Sequence, residues 1–202
     1  MPSASLSKMG IPTKSDSSTR VLTMPKLKYR FRIIFTSFGN KENSEVLTTQ
    51  VIDFQRPKMS FPNVDINIHN STFKMAGRPE WGDAVCKLRD DAPGHIAKLV
   101  GHQLQTQYDY SEQVTASSGQ DYKFSMKIEM LDGSHGSDGP KVLETFELDG
   151  CYLSDVNYGD VSYSQSAVAE ITLTIRFDSA IQTKGETGTL GQSLGAAIGN
   201  FI

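Results

Sequence analysis

The histidines of this chain carry the side chain that most often binds metals or transfers protons. His95 and His102 lie seven residues apart in a segment with helical periodicity, yet neither has a Glu at the spacing of a zinc-binding helix. His135 lies between Asp132 and Asp138 in a glycine-rich stretch. Calcium loops place more carboxylates at fixed alternation, so this stretch is more typical of a solvated loop. The alternative hypothesis is an enzyme or a carbohydrate-binding module that uses His135, Asp132 and Asp138.

The two cysteines do not form a recognisable reactive pair. Cys86 and Cys151 have no CxxC or metal-ligand spacing and fall in separate predicted strands. Buried free thiols are favoured there, with a disulfide as the alternative. The sequence has no GxSxG, P-loop or GxGxxG motif, and the acids Asp90 and Asp91 are explained by a helix start. We therefore predict a protein that is not an enzyme, with no cofactor and no metal site.

Length and charge narrow the class of protein further. The chain has 202 residues, a formal net charge of −3 and a pI of about 5.8. This length fits one domain with tails, and the charge gives no overall attraction to nucleic-acid phosphates. No run approaches the roughly 20 apolar residues of a membrane span, and the N-terminus lacks the apolar run of a signal peptide. The sequence predicts a soluble protein made in the cytoplasm, without a membrane anchor.

Alternation of apolar and polar residues determines the predicted fold. In residues 26–38 the apolar side chains alternate with Lys and Arg, and the same period returns in residues 122–130 and 167–178. Successive strand residues point to opposite faces, so each segment offers one face to a core and the other to a polar surface. Half-buried strands of this kind favour an antiparallel sheet.

Shorter strands and one helix complete the predicted body. The helix is predicted to start at Asp90-Asp91, with an Asp N-cap and Pro93 near its first position, and to end near Gln107. The fold class predicted is mainly β: an antiparallel β-sandwich or barrel-like subunit with one flanking α-helix. The shorter strands are predicted at residues 46–54, 64–69, 72–75, 84–89, 142–149 and 151–153.

Composition divides the chain into three segments. Residues 1–24 are rich in Ser, Lys and Thr and are predicted to form a flexible arm, and residues 25–180 form the body. Residues 181–202 form a Gly/Ala/Leu-rich tail, and its apolar positions are Leu190, Leu194, Ile198 and Phe201. The first three recur every four residues beside glycines, which on a helix makes an apolar ridge. Two hypotheses apply to this tail: it is a frayed terminus, or it is a segment that becomes ordered in an assembly.

The middle of the chain resembles the tail-tube proteins of contractile-tailed phages (myophages). Residues 63–91, NVDINIHNSTFKMAGRPEWGDAVCKLRDD, are similar to the family's central hairpin. There a strand ending in a small residue and Gly, here Ala76-Gly77, is followed by a polar turn and an aromatic residue, here Trp81. A strand ending in acids and then a helix follow in both.

The second half is similar to the family as well. Residues 147–156 resemble its strand with a Gly and an apolar kink, and residues 160–166 and 168–178 resemble its final strand pair. The resemblance covers residues 26–179, and both tails fall outside it. No invariant catalytic signature belongs to these patterns, so their order and spacing carry the resemblance.

The resemblance implies a structural role. Six subunits of such a family close into a ring with a continuous inner β-barrel, and the rings stack into a hollow tube that conducts the viral genome. The implied partners are copies of the chain itself, the tail sheath, baseplate and tail-terminator proteins, the tape-measure protein and, transiently, DNA in the lumen. The implied location is the virion tail. A baseplate tube initiator, or the tube protein of a type VI secretion or bacteriocin-like device, is the alternative.

The implied tube assigns roles to particular side chains. A lumen that passes DNA should avoid strong positive charge, so Lys28, Arg30 and Arg32 are expected outside the tube or at a ring contact. Thr172 and Thr174 are candidates for the lumen, although which polar face points inward is open. The apolar positions of the tail are candidates for contacts between rings or with the sheath: Leu190, Leu194, Ile198 and Phe201.

Overall fold

The protein is described from a computed structural model, which covers residues 11–12, 20–21, 26–39, 44–132 and 140–184. The chain divides into two compact units, Met1–Arg30 and Phe31–Ile202. In the first unit, strand β1 (Ile11–Pro12) pairs with β2 (Arg20–Val21). A turn closes where the amide of Arg30 donates to the carbonyl of Leu27 at 3.2 Å.

The second unit contains the remaining strands and the described helices. The strands are β3 (Phe31–Thr36), β4 (Val51–Phe54), β5 (Met59–Ser60), β6 (Asn63–Ile68), β7 (Ser71–Ala76), β8 (Glu80–Trp81), β9 (Ala84–Arg89), β10 (Tyr108–Asp109), β11 (Val114–Thr115), β12 (Phe124–Leu131), β13 (Val142–Asn157), β14 (Glu170–Arg176) and β15 (Ser179–Lys184). The helices are α1 (Ser44–Gln50), α2 (His95–Gln107) and α3 (Gly119–Tyr122).

A seven-stranded sheet forms the body of this unit. Its strand order is β3-β12-β13-β14-β9-β4, with β15 paired to β13, and every pair is antiparallel. The 16-residue strand β13 belongs to two half-sheets. Its first part pairs with β12 and β15, and its last part pairs with β14. The mainly β, antiparallel fold class predicted from the sequence is confirmed.

Gly150 marks the point where β13 passes between the half-sheets. Pairing with β12 ends at Cys151, and pairing with β14 begins at Tyr152. Gly150 has a φ of 70°, a conformation that costs a residue with a side chain free energy but costs Gly little. The carboxylate of Asp178 fills the space where a Cβ would stand, and it pairs with the Lys123 ammonium at 2.6 Å.

Alternate residues of both half-sheets face one hydrophobic core. The ring of Phe38 packs edge-on against Phe35 and Phe124, with centroid distances of 5.4 and 4.8 Å. Edge-to-face packing of this kind adds to the stabilisation from burial alone. The inward residues of the strands include Ile33, Phe35, Cys86, Leu88, Met126, Ile128, Leu148, Ile171, Leu173 and Ile175.

Helix α2 packs against the core and binds the backbone around it. The buried amide of Gln103 accepts a hydrogen bond from Gly39 N–H at 2.8 Å and donates one to the Tyr122 carbonyl at 2.6 Å. The Gln107 amide accepts from Leu153 N–H and donates to the Leu153 carbonyl, both at 3.0 Å. Gln107 therefore satisfies the edge of β13 beyond its pairing with β12, as a neighbouring strand would.

The helix start differs from the expected one. The N-cap is Gly94, with a φ of 73°, and the helix begins at His95, so the predicted Asp cap and the role of Pro93 were wrong. Asp91 still contacts the N-terminal end of α2, because its Oδ1 accepts a hydrogen bond from Ile96 N–H at 3.0 Å. This hydrogen bond lowers the pKa of the Asp91 carboxyl. The predicted end near Gln107 is confirmed.

Two predicted strand segments were wrong. Residues 26–30 do not extend β3, because β12 pairs with it from Phe31 to Thr36 and ends at Leu131. Tyr29 is accordingly 71% exposed. Residues 44–50 form helix α1, which places Leu47 fully in the core and so overrides the strand propensity of the neighbouring β-branched residues.

Other elements also differ in number or boundary from the predicted ones. Three helices occur among the described residues rather than one, and Tyr122 lies in α3. β14 is followed by β15, which runs through the boundary at residue 180 suggested between body and tail. β15 carries the polar Gln182 inward, where it donates to Glu144 at 2.8 Å.

Replacing Gly150 by Ala should lower the free energy of unfolding by about 1–3 kcal/mol, because the new Cβ meets Asp178 and the positive φ becomes strained. Urea unfolding followed by circular dichroism measures this. Gly101→Ala is the control, since nothing lies within 4 Å of its Cβ position in α2, and it should raise stability by about 0.5–1 kcal/mol. Unchanged stability of Gly150→Ala would contradict the role of this glycine.

Gln103→Met should cost about 2–4 kcal/mol, because Gly39 N–H and the Tyr122 carbonyl each lose the partner that the buried Gln103 side chain supplies. The same unfolding experiment applies. Gln105→Met, on the exposed side of the same helix, should change stability by less than about 0.5 kcal/mol. Equal effects of the two substitutions would show that the Gln103 amide is not a structural hydrogen-bond bridge.

The two thiols should be inert in the folded protein. Cys86 and Cys151 are free and buried, and burial, the largest cause, raises the pKa of both to about 12. A thiol reagent at pH 8 should therefore react with neither in the native state and with both in denaturant, since the thiolate is the reactive form. Rapid reaction of either thiol under native conditions would contradict this.

Candidate assembly surfaces

An isolated β-hairpin, formed by β6 and β7, is exposed along its whole length. We call residues 63–76 the ribbon. Among the described residues its strands pair with each other and with no strand of the main sheet. Every ribbon residue is exposed, and His69 takes a φ of 51° at the turn. The predicted strand pair is therefore confirmed, with its turn one residue earlier.

One face of the ribbon is apolar. The register places Val64 opposite Met75 and Ile66 opposite Phe73, while Ile68 extends the same face towards the turn. These side chains are between 41% and 58% exposed. An apolar surface of this size facing water is typical of a contact site, and an isolated two-stranded hairpin is marginally stable by itself. The ribbon thus has the properties of a segment that packs against another surface.

The base of the ribbon is held to the body. Gly77 N–H donates to the Pro62 carbonyl at 2.7 Å, which closes the hairpin below its last strand pair. Next to it, β5 pairs with β8 through Met59 and Trp81. The Trp81 ring lies 5.5 Å from the ring of Phe177, at the end of β14. The ribbon therefore leaves the sheet at the end where β14 stops and β9 begins.

A second exposed surface is the connection between β13 and β14. We call residues 158–169 the exposed loop. Val161 and Tyr163 are fully exposed, at 96% and 112%, and Val168 is 60% exposed. The loop encloses an open concavity of about 510 Å³ whose lining includes Val161, Val168 and Thr172. Loops of about this length without secondary structure are uncommon, and longer ones are usually either functional or linker segments.

Hydrogen bonds fix both ends of the exposed loop. Gly159, with a φ of 72°, donates from its N–H to the Asn157 side chain at 2.8 Å. At the other end, Asp90 N–H donates to the Ala169 carbonyl at 2.9 Å. The loop is thereby attached to the ends of β13, β14 and β9.

The basic residues singled out in the sequence fall in both units of the chain. Lys28 lies exposed in the turn of the first unit, and the Arg30 guanidinium lies 5.4 Å from the centroid of the Tyr29 ring. Arg32 lies on the polar face of β3, where it forms an ion pair with Glu129 on β12 at 2.6 Å. Pairing neutralises its charge on that face.

The threonine candidates lie together. Thr172 and Thr174 are half-buried on the face of β14 opposite the core, and they pair with Lys87 and Val85 on β9. Thr172 also lines the concavity of the exposed loop. The tail candidates lie outside the described residues: Leu190, Leu194, Ile198 and Phe201.

The candidate chemical groups are dispersed where they can be located. His95 Nδ1 lies 2.7 Å from Asp91 Oδ2, an interaction within the helix start. Asp132 accepts from Lys141 N–H at 3.0 Å, whereas His135 and Asp138 lie outside the described residues. Across the part of the chain that the structure describes, no cluster of His, Cys, Asp or Glu has the arrangement of a metal site.

The ribbon's apolar face was the main feature that the sequence did not assign. The alternation of Val64, Ile66 and Ile68 is visible in the sequence, but alternation alone predicts a face turned to a core. The adjoining Pro57 and Pro62, which limit pairing to a larger sheet, were the available signal.

None of the helices within the described ranges is long and apolar enough to span a membrane. No protein-family model matches the sequence, and no curated protein matches it.

Solved structures do match the fold. A chain of the anti-feeding prophage baseplate, 6-fold symmetrised, matches with a TM-score of 0.59 and 12% identity, over 82% of this chain and 99% of that one. A chain of an extracellular contractile injection system, in its PVC sheath/tube terminator, matches with a TM-score of 0.58 and 12% identity, over 81% and 99%.

A chain of the PVC sheath-tube complex matches with a TM-score of 0.52 and 13% identity, over 79% of this chain and 92% of that one. At these identities the likeness concerns the fold. The resemblance predicted from the sequence is confirmed at that level: the chain has the fold of the tail-tube proteins.

Proposed function

We propose that this protein is a structural subunit of the tube of a contractile tail, and that copies of it associate into hexameric rings which stack into a hollow conduit. The observation that carries the proposal is the ribbon: a chain of this fold presents a two-stranded apolar surface that is largely exposed and, among the described residues, pairs with no other strand. We also propose that the conduit belongs to a phage and delivers its genome, and that this chain catalyses no reaction.

The physics of ring closure supports this assignment. Contacts between two different surfaces of one chain close into a ring when the rotation between neighbours divides a full turn. Closure covers sheet edges that would otherwise promote uncontrolled association. One match is a chain of a baseplate described as 6-fold symmetrised, in agreement with six copies.

Two basic side chains on the polar face of the first half-sheet are paired with acids: Arg32 with Glu129 at 2.6 Å, and Lys127 with Glu147 at 2.9 Å. The pairing reduces the attraction of these two side chains for a polyanion. Unpaired cations in a lumen would bind phosphates and slow transit. Lys28, Arg30 and Arg32 remain proposed for the outside of the tube or a ring contact.

The remaining assignments of the sequence are part of the same proposal. Thr172 and Thr174 are candidates for the lumen, and the apolar positions of the tail, Leu190, Leu194, Ile198 and Phe201, are proposed to contact a neighbouring ring or the sheath. The proposed partners are the sheath, the baseplate and terminator proteins, a tape-measure protein and DNA. We keep residues 1–24 as the proposed arm and residues 25–180 as the proposed body, to which the rest of β15 is added.

A second candidate is a specialised ring at one end of such a tube. The matches to a baseplate chain and to a terminator chain have TM-scores of 0.59 and 0.58, against 0.52 for the sheath-tube complex. A particle of the extracellular injection type is a further alternative to a phage tail. Copy number separates the first two, because an end ring occurs once in each particle and a tube subunit occurs many times.

Negative-stain electron microscopy of the purified chain tests the proposal. We expect rings or rods with a central channel. The ribbon variant Ile66→Lys/Phe73→Glu should reduce assembly, since it places charges on the apolar face while their cross-strand pairing preserves the hairpin. The control Asn67→Lys/Thr72→Glu places the same charges on the opposite face and should assemble as the native chain does.

Two results together would contradict the proposed function. They are a protein that stays monomeric at high concentration and the absence of this chain from purified tails or injection particles. Circular dichroism of each variant shows whether a loss of assembly reflects a changed surface or an unfolded chain.

A further inference from the structure

A concavity of about 450 Å³ lies where β14 ends and β9 begins, and we call it the aromatic pocket. Three ring side chains contribute to its lining: Trp81, Tyr152 and Phe177. The Trp81 ring packs on Phe177, and the Tyr152 ring meets Tyr122 edge-on at a centroid distance of 6.3 Å. The faces of such rings attract cations, so the pocket offers a surface that suits an ammonium or a guanidinium group.

The carboxylates that line the pocket differ in their partners. Asp83 Oδ1 accepts a hydrogen bond from Arg176 Nε at 3.0 Å, and Asp178 pairs with the Lys123 ammonium at 2.6 Å. The third lining carboxylate, Glu80, is exposed and forms no ion pair with any residue that the structure describes. One uncompensated carboxylate thus stands directly beside an indole ring in the chain. This arrangement fits a single cation.

The wall of the pocket already holds a cation of this kind. The Asp83 carboxylate and then the Tyr152 hydroxyl accept hydrogen bonds from Arg176, and both raise the pKa of its guanidinium. A carboxylate and an aromatic side chain therefore stabilise a positive charge on one side of the pocket. Glu80 and Trp81 place the same two kinds of group on the strand β8.

The most basic part of the sequence offers a matching cation. Residues 17–41, which we call the acid-free segment, contain six Lys and Arg residues and no Asp or Glu. The whole chain has 20 basic and 23 acidic residues, so the rest of it has 14 basic against 23 acidic ones. The acid-free segment of one copy is consequently attracted to the remainder of another copy.

Within this segment Lys28 is the cation best placed for a contact. It is exposed in the turn that the Arg30 amide closes, and it forms no ion pair within the described residues. The Arg30 guanidinium instead lies over the Tyr29 ring. A Lys side chain carries its ammonium on a flexible four-carbon stem, so Lys28 can extend into an open concavity.

We propose that the aromatic pocket of one copy binds the Lys28 ammonium of a second copy, between the Trp81 ring and the Glu80 carboxylate. The choice of a second copy rests on the proposed function, in which a ring contact is one of the two places considered for Lys28. The other cations of the acid-free segment attract the pocket from a distance. This attraction acts over about 10 Å at 0.1 M salt and about 3 Å at 1 M salt. Each contact is weak by itself, and repetition across assembled copies strengthens it.

Fluorescence of Trp81 provides a direct test, because Trp81 is the one tryptophan of the chain. The probe is a synthetic peptide of residues 20–32, which contains Lys28 and no tryptophan. Added to dilute protein, it should change the Trp81 emission with a Kd on the order of 1 mM. A Lys28→Glu peptide should bind at least about fivefold more weakly, since it places two carboxylates together. The control is an Arg20→Glu peptide of the same net charge, which should bind within about twofold of the native peptide.

A charge exchange makes the test specific for the two proposed partners. The full chain with Glu80→Lys should lose its response to the native peptide and should respond to the Lys28→Glu peptide. Glu112→Lys changes an exposed carboxylate outside the pocket by the same charge, and this chain should respond as the native one does. Circular dichroism should show that every chain is folded.

Assembly of the full chain gives a second readout. Sedimentation velocity over a range of concentrations should show that Lys28→Glu and Glu80→Lys each raise the concentration needed for association about tenfold. The chain with both changes should recover association, because the charge pair is restored with its sign reversed. The control with Lys98→Glu and Glu112→Lys, both on exposed residues, should associate as the native chain does.

Other results overturn the inference. A native peptide that leaves the Trp81 emission unchanged, equal binding of the Lys28→Glu peptide, or no recovery after charge exchange would each exclude the contact. If the native chain formed rings without this peptide response, the contact would fail and the proposed function would stand. If the peptide response occurred while the native chain formed no rings or tubes, the proposed function would fail and the pocket would stand as a lysine-binding site.

Discussion

The fold depends on one strand that serves two sheets. β13 completes the hydrogen bonds of β12 and β15 with its first part and those of β14 with its last part. The change of partner requires the chain to turn sharply without losing its ladder, and Gly150 supplies the backbone conformation for this. The two half-sheets consequently share one core, and the surfaces at either end are held in a fixed relation to it.

Sequence patterns predicted several strands that have a partner within the chain. β12 and β14 were expected from alternation, because apolar residues there recur with period two, and β9 and the two ribbon strands were expected as shorter strands. The pattern failed at residues 26–30, where alternation continues but β12 has already ended. Alternation of apolar and polar residues indicates which side chains suit a strand, whereas the length of the strand depends on where its partner strand ends.

Two other differences between the predicted and the observed elements, at α1 and β15, have local causes. In α1 the burial of Leu47 outweighs the preference of Val46 and Thr49 for strands. β15 escaped prediction because its inward positions include Gln182, whose polarity breaks the apolar period. The Gln182 amide is satisfied by Glu144, so a polar residue occupies a core-facing position at little cost. The candidate surfaces were harder to predict, since a sequence does not show which apolar faces lack a partner within the chain.

The Gln107 side chain has a consequence for the way this protein meets other chains. Its amide occupies both the donor and the acceptor of Leu153, the groups that an incoming strand would use. A strand of another protein therefore cannot pair with this edge of β13 at Leu153. A glutamine side chain on a helix thereby acts as a barrier to indiscriminate aggregation at this edge of the sheet.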